Sequence, residues 1–376
     1  MESFAELLED MLDAQDGLND FDQVMSDPRI SFGQPDRPYL LANYLPERPV
    51  EDNVLDAVAV RFQSIIANAA SRYSPPQYKS AVEGVEIGAK LAESNSGTKI
   101  EAPTIDTINK SFRRGGAKVG ASGAATILRS FEEGVVRPLT DLAELWRAQC
   151  LVNAQIVAVG MNGRAEQINY RNPSNSRSNA ANAYSDNTYD PMPDIMAKVK
   201  VLNDRGYRVA GLVMGSDVVG ILKRNTKIRD RAIALRVVNN TIVNNLATTP
   251  TTLSMAALRA VFDDEELPPI QVYDATYNST TQRGLFFWPR GTIGFFGVTG
   301  NGEDVIDQSG NLFRQIQNTL GFTGIGTPAA QTAPGRAYKI KYVTDDHPEF
   351  VKMVGLQTML PVVEAEEAFA AIKNIT

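Results

Sequence analysis

Five prolines fall within 22 residues of one another, at Pro28, Pro35, Pro38, Pro46 and Pro49. Proline lacks the backbone N–H and clashes with the preceding helical turn, so this stretch forbids a regular helix and reads as an extended arm. Tyr39, Leu40, Leu41, Tyr44 and Leu45 lie inside it and are costly to leave in water. On a lone monomer such an arm has little to bury against. On an assembled neighbour it has plenty, so these five residues are read as subunit-interface residues.

The segments on either side of the arm are also unusual. Before it, eight Asp or Glu occur between Glu2 and Asp22, with no Lys or Arg ahead of Arg29. Phe4, Leu7, Leu8, Met11 and Leu12 recur there at helical spacing. Two readings stand for residues 1–27: a solvated acidic tail, or a docking or scaffolding-type segment. After the arm, residues 51–70 look partly regular, until Tyr73-Ser74-Pro75-Pro76 breaks the chain. Lys79 to Lys99 alternates around Val82, Val85, Ile87 and Leu91, the pattern of a two-stranded excursion. Isolated two-stranded ribbons are marginal in water, so this excursion also calls for a neighbour. Tyr73, Lys79 and Lys90 therefore join the interface candidates. So do Arg113 and Arg114, which head a Gly- and Ala-rich connection running to Ala125.

The middle of the chain is more regular. Leu139, Leu142, Leu145, Trp146, Cys150, Val152, Ile156 and Val159 approximate a helical period, with Pro138 tolerated in the first turn and Gly160 placed to end it. About 22 residues rising ~1.5 Å each give a rod of roughly 33 Å. Residues 171–189 are rich in Asn and Ser and read as a surface loop. A helix over Asp190–Arg205 follows, then a buried strand Val209–Met214. A short helix capped by Ser216 or Asp217 runs to Leu222 and is ended by Asn225, and a further helix spans Thr252–Phe262 before the strand Ile270–Tyr273. That order predicts a small central sheet flanked by helices. Leu285–Trp288 and Thr292–Val298 read as a hairpin about Pro289-Arg290-Gly291. The tail reads as strands Ala337–Val343, Phe350–Val363 and Ala368–Ile375.

Reactive residue types are scarce. The 376 residues include one histidine, His347, and one cysteine, Cys150. Multi-His metal sites and an internal disulfide are excluded, and a catalytic triad would rest on His347 alone. His347 reads as a surface-loop residue and Cys150 as core packing. The run Asp263-Asp264-Glu265-Glu266 reads as solvated charge at a helix end. The glycines from Gly297 to Gly302 lack the Lys-Ser/Thr of a phosphate loop, and Gly120 to Gly123 lacks the spacing of a hydrolase elbow. A net charge of −7 argues against a dedicated nucleic-acid binder. No stretch approaches ~20 apolar residues, and Met1 to Asp10 has no signal-peptide character, so neither membrane insertion nor export is expected. The expectation is no catalytic site, no cofactor and no metal.

The order of these parts resembles the major capsid proteins of tailed bacteriophages, in particular the lambda-like group (major capsid protein E) with the Hong Kong 97 type fold. The matching parts run from about Pro35 to the C-terminus. They include the arm, the loop between Tyr73 and Thr98, and the long helix holding Arg147-Ala148-Gln149. Further matches are Gly211 to Asp217, Tyr273-Asp274 ahead of Phe287 to Gly291, and Leu360-Pro361. The resemblance implies an α+β fold with an N-terminal arm (1–52), a peripheral domain (53–72 and 99–190) with a spine helix (138–159), and an extended loop (73–98). An axial α/β domain (191–335) and C-terminal strands returning to the peripheral domain (336–376) complete it. It also implies a non-enzymatic subunit, made in the host bacterial cytoplasm and found in the virion, that assembles into hexamers and pentamers of an icosahedral phage head. The implied partners are further copies of the chain, a portal, a scaffolding activity, a decoration protein, and packaged double-stranded DNA contacted weakly and without sequence specificity. The acidic first 27 residues are not a general feature of that family. Two other readings remain: an encapsulin-type nanocompartment shell protein of the same fold, and a carboxylate- or metal-dependent hydrolase. On the shell readings, deleting Lys79 to Glu93 is expected to leave a folded chain that cannot close a shell.

Overall fold

A computed structural model of the chain describes residues 39–50, 53–62, 82–104, 130–159, 165–186, 188–235, 237–238, 241–242, 252–279, 281–298, 303–306, 312–315, 320–328, 333–343 and 350–375. The acidic start, Tyr73, Lys79, Arg113, Arg114, His347 and the Gly120 segment lie outside these residues.

The long helix, α1, spans Arg137–Asn153 and is entered through a π-helical turn, Glu132–Val136. It is shorter than the expected 138–159. Ala154 adopts the left-handed conformation with φ 52° and ends the helix. Gln155–Val159 then leaves as a strand paired with Ala165–Asn169. Ile156 and Val159 fit a helical period, but Ile-Val-Ala-Val is β-branched at three of four positions, and the strand conformation wins.

One sheet packs against α1. Its longest strand, Phe350–Val363, pairs antiparallel with Ala92–Glu101, Arg336–Val343 and Gly321–Ile325, and the last of these pairs in parallel with Glu47–Pro49. Pro49 is tolerated because its strand lies at a sheet edge. The helix approaches the sheet at glycine: a Cβ on Gly355 would sit 2.6 Å from Val135 Cγ1 and 2.9 Å from Leu139 Cδ1.

The second sheet has the strand order Ile270–Val272, Arg208–Met214, Ile293–Val298, Phe369–Lys373 and Arg177–Asn179. Its central strands are apolar on both faces, as strands buried on both sides must be. Leu212, Met214, Ile293, Phe295, Ala370 and Ile372 face one core cluster with the helices. Val213, Phe296, Phe369 and Ala371 face another, shared with α1 and the first sheet. The period of two along each strand thus joins the two halves of the molecule through one sheet. Helices α2 (Met192–Asp204), α3 (Ser216–Arg224), α4 (Thr226–Ala234) and α5 (Met255–Asp264) supply most of the outer core. Gly206 (φ +84°) follows α2, as the sequence suggests. Asn225 ends α3 and also caps α4, its side chain accepting from the N–H groups of Lys227 and Ile228.

Two expectations are corrected here. Leu285 to Val298 is not a hairpin: Leu285–Phe286 pairs with Thr276–Tyr277, while Ile293–Val298 joins the second sheet. Trp288 separates them by burying its ring and donating Nε1–H to Thr292 O at 3.1 Å. Residues 171–189 are not a simple surface loop, since Arg177–Asn179 pairs with the last strand and Ser176 and Tyr184 are fully buried. Phe369–Lys373 lies within the second sheet, and Gly321–Ile325 lies in the sheet under α1.

The ribbon is drawn differently as well. Val54–Phe62 pairs with Val82–Lys90 over nine residues, with Lys90 opposite Val54, so the strand before the break belongs to the ribbon. Ala92–Glu101 instead belongs to the sheet under α1. At the ribbon's base Leu91 N–H donates to Asn53 O at 3.0 Å. Among the described residues, neither ribbon strand pairs with any other strand.

Gly355→Ala is expected to destabilise the chain by about 1–3 kcal/mol through overpacking against α1. Gly220→Ala in α3, where the nearest atom to a new Cβ is 3.7 Å away, is expected to stabilise by about 0.5–1 kcal/mol. Denaturant midpoints of the two variants check both signs.

Candidate functional site

The arm residues expected to seek a neighbour are buried in their own chain. Leu40–Asn43 forms a 3-10 turn, and Leu41, Tyr44 and Leu45 are 0, 4 and 0 % exposed. The physical reason is a polar socket on α1. Glu144 Oε1 accepts the Leu41 N–H at 2.8 Å and the Tyr273 hydroxyl at 2.6 Å. Tyr39 donates its hydroxyl to Asp141 at 2.8 Å. Tyr44 stacks on Phe296 with centroids 4.0 Å apart and donates to Gln271 Oε1 at 3.1 Å. Tyr39 and Leu40 are half-buried against the same cluster.

Arg147, one helical turn from Glu144, completes the socket. It donates Nη1 to Glu144 at 3.2 Å, Nε to Thr323 Oγ1 at 2.9 Å and Nη2 to Glu47 at 3.2 Å. Thr323 Oγ1 passes a bond to Leu45 O at 3.0 Å, and Glu47 also receives Arg336 at 2.5 Å. Arg336 further donates to Gln357, whose amide donates to Leu139 O. The arm, α1, the exit of the strand Ile270–Val272 and the sheet under α1 therefore meet at two charged side chains. Glu144 and Arg147 are 0 and 1 % exposed. Burial lifts the Glu144 carboxyl above its ordinary value, while Tyr273, the Leu41 N–H and Arg147 pull it back. Arg147 lies in the Arg147-Ala148-Gln149 match, but the sequence reading passed over Glu144. The available signal was an i, i+3 pair on the helix face that also carries Ala143, Trp146 and Cys150.

These groups are sealed from solvent and offer no substrate a route. Cys150 is likewise sealed, and burial pushes its thiol up to about 12, which keeps it unreactive near neutral pH. A shallow cleft of about 280 Å³ beside the start of α1 is lined by Arg137, Asp141, Leu142, Leu145 and Tyr277 among others. Among the described residues no group of three His, Cys, Asp or Glu is placed to hold a metal. No helix of the described chain is long and apolar enough to cross a membrane. Of the acidic run 263–266, Glu265 pairs with Arg231 at the end of α5. Among the described residues, exposed large apolar side chains occur singly, at Val157, Met196 and Val272.

No family model matches the sequence, and no curated protein matches it. Solved structures do match. A prophage protein of E. coli CFT073, described as a capsid protein, shares 13% identity at a TM-score of 0.55, covering 94% of this chain and 98% of its own. A phage-related protein from Bordetella bronchiseptica RB50 shares 12% identity at a TM-score of 0.50, covering 93% of this chain and 97% of its own. The chain therefore has the α+β fold of a phage capsid protein, of the Hong Kong 97 type that its sequence resembles.

Removing the Glu144 carboxylate leaves Arg147 buried with part of its charge unanswered, which costs about 3–5 kcal/mol when a buried pair is broken. Glu144→Ala is therefore expected to unfold earlier in urea by that amount. Because the folded Glu144 pKa is raised above its ordinary 4.5, the folded state holds the proton more tightly than the unfolded one. Its stabilisation is full below that value and is lost as pH rises through the folded pKa. The wild-type advantage over Glu144→Gln should shrink across that window in urea titrations, and an advantage that grew with pH would contradict the assignment.

Proposed function

We propose that this chain is the structural subunit of a phage head, assembling with copies of itself into hexamers and pentamers around double-stranded DNA. One observation carries the reading beyond the fold. The ribbon Val54–Phe62 and Val82–Lys90 pairs only with itself among the described residues. A nine-residue, two-stranded ribbon is marginal alone in water, and an overlapping neighbour supplies what it lacks. Many modest contacts of this kind, repeated by symmetry, sum to a stable lattice.

In this reading the body is anchored by its own arm, through Leu41, Tyr44 and Leu45, and the ribbon reaches outward. Lys90 at the ribbon base stays an interface residue, as do Tyr73, Lys79, Arg113 and Arg114. Tyr39 and Leu40 contribute only their outer faces. The axial domain is centred on the sheet from Ile270–Val272 to Arg177–Asn179 and includes the last strand. The peripheral domain is α1 with the sheet that crosses it. Portal and scaffolding proteins, with room for a decoration protein, are the partners this reading implies, and assembly follows synthesis in a bacterial cytoplasm. The subunit carries out no reaction: its buried carboxylate Glu144 serves the socket that holds the arm.

Asn53 and Leu91 sit side by side, so residues 54–90 can be excised and bridged by a short Gly-Ser linker without opening the sheet. The earlier cut, Lys79 to Glu93, would remove Ala92 and Glu93 from the strand Ala92–Glu101. The excised chain is expected to keep its circular dichroism and cooperative unfolding yet give no closed shells in negative-stain electron microscopy. Normal shells from it would sink the reading.

A further inference from the structure

The junction of α3 and α4, residues 223–229, holds Lys223, Arg224, Lys227 and Arg229 and no carboxylate. In a chain of net charge −7 this is a concentrated positive surface. Arg224 and Lys227 are exposed, and Lys223 and Arg229 are half-buried. None of the four has an ion-pair partner among the described residues. Arg231, slightly further along, is paired with both Asp190 and Glu265.

Two features show that the junction favours an anion. Lys223 and Arg224 close α3, where the helix dipole welcomes cations. Lys227 and Arg229 open α4, where the dipole welcomes anions and the first turn holds no acid; Asp230 follows only afterwards. Cations at the positive end of a helix are repelled unless a counter-charge answers them. In addition, Arg229 Nε is buried and has no hydrogen-bond partner among the described residues, a state that native structures rarely leave uncompensated.

The chain carries a matching anion. Between Glu2 and Asp22 it has eight carboxylates and no base. From Asp22 to Tyr39 is 17 residues, which span up to about 60 Å when extended. Tyr39 itself is fixed to Asp141 on α1. We propose that the acidic segment Glu2–Asp22 docks on the basic junction 223–229. Duplex DNA is the weaker occupant, because the chain's net negative charge opposes it and the acidic segment competes at high local concentration. The proposal does not depend on the chain forming shells.

Zero-length carbodiimide coupling on the full chain tests it, since this joins a carboxylate to a lysine amine only in direct contact. At low salt, tryptic peptides should link carboxylates of residues 2–22 to Lys223 or Lys227. Raising salt to about 0.5 M, where the Debye length falls to roughly 4 Å, should cut those links about tenfold. Arg224→Glu with Arg229→Glu should cut them at low salt, with the thermal midpoint showing that the variant stays folded. Links from residues 2–22 spread evenly over other lysines, such as Lys198 or Lys373, would overturn the proposal. So would an absence of links at Lys223 and Lys227 together with duplex-DNA retention lost in that double variant, which would assign the junction to nucleic acid.

Discussion

The Glu144–Arg147 pair holds together parts of the chain that sequence distance keeps apart. The two side chains lie one turn apart on α1, yet between them they bind Leu41, Glu47, Tyr273 and Thr323. Taking two charges out of water is expensive, and a well-packed apolar pair would often be as stable. The pair also does what an apolar pair cannot. Each hydrogen bond has one direction and one partner, so the arm, the axial strand exit and the sheet under α1 can meet α1 in only one register. In the proposed role of a shell subunit that definition matters, because small errors in the angle between its halves would accumulate around a closed lattice.

The axial sheet carries the same constraint through packing. Its alternating residues serve two cores at once, so Phe295 points to the helices while Phe296 meets Tyr44 and Phe369 on the other side. A one-residue slip would exchange the two sets. The arm is thereby locked to the axial sheet as well as to α1. Among the described residues, the ribbon of Val54–Phe62 and Val82–Lys90 pairs with no other strand.

The sequence made much of this legible where local chemistry decides the outcome. The strand Val209–Met214, the helix over 190–205 with its Gly206 stop, and the long tail strands all follow from periodicity and caps. Features set by distant partners were not legible. The arm residue Leu41 carries no sign that Glu144, about 100 residues away, will accept its backbone N–H, and Tyr44 none that Phe296 will stack on it. Ala154 gives no local warning that it will turn left-handed and end α1 early. Leu285–Phe286 and Ile293–Val298 look like hairpin partners until their true neighbours are known. Candidate residues Tyr73, Lys79, Arg113 and Arg114 lie outside the described residues, so the structure neither groups nor separates them.

The most direct measurement is negative-stain electron microscopy of the purified full chain, paired with size-exclusion chromatography over a range of concentration and salt. A lattice-forming subunit predicts closed polyhedral shells, or capsomer rings and sheets, eluting far ahead of a 41.0 kDa monomer. A chain that stays monomeric under every condition, including in the presence of the scaffolding and portal proteins of a phage head, would contradict the account.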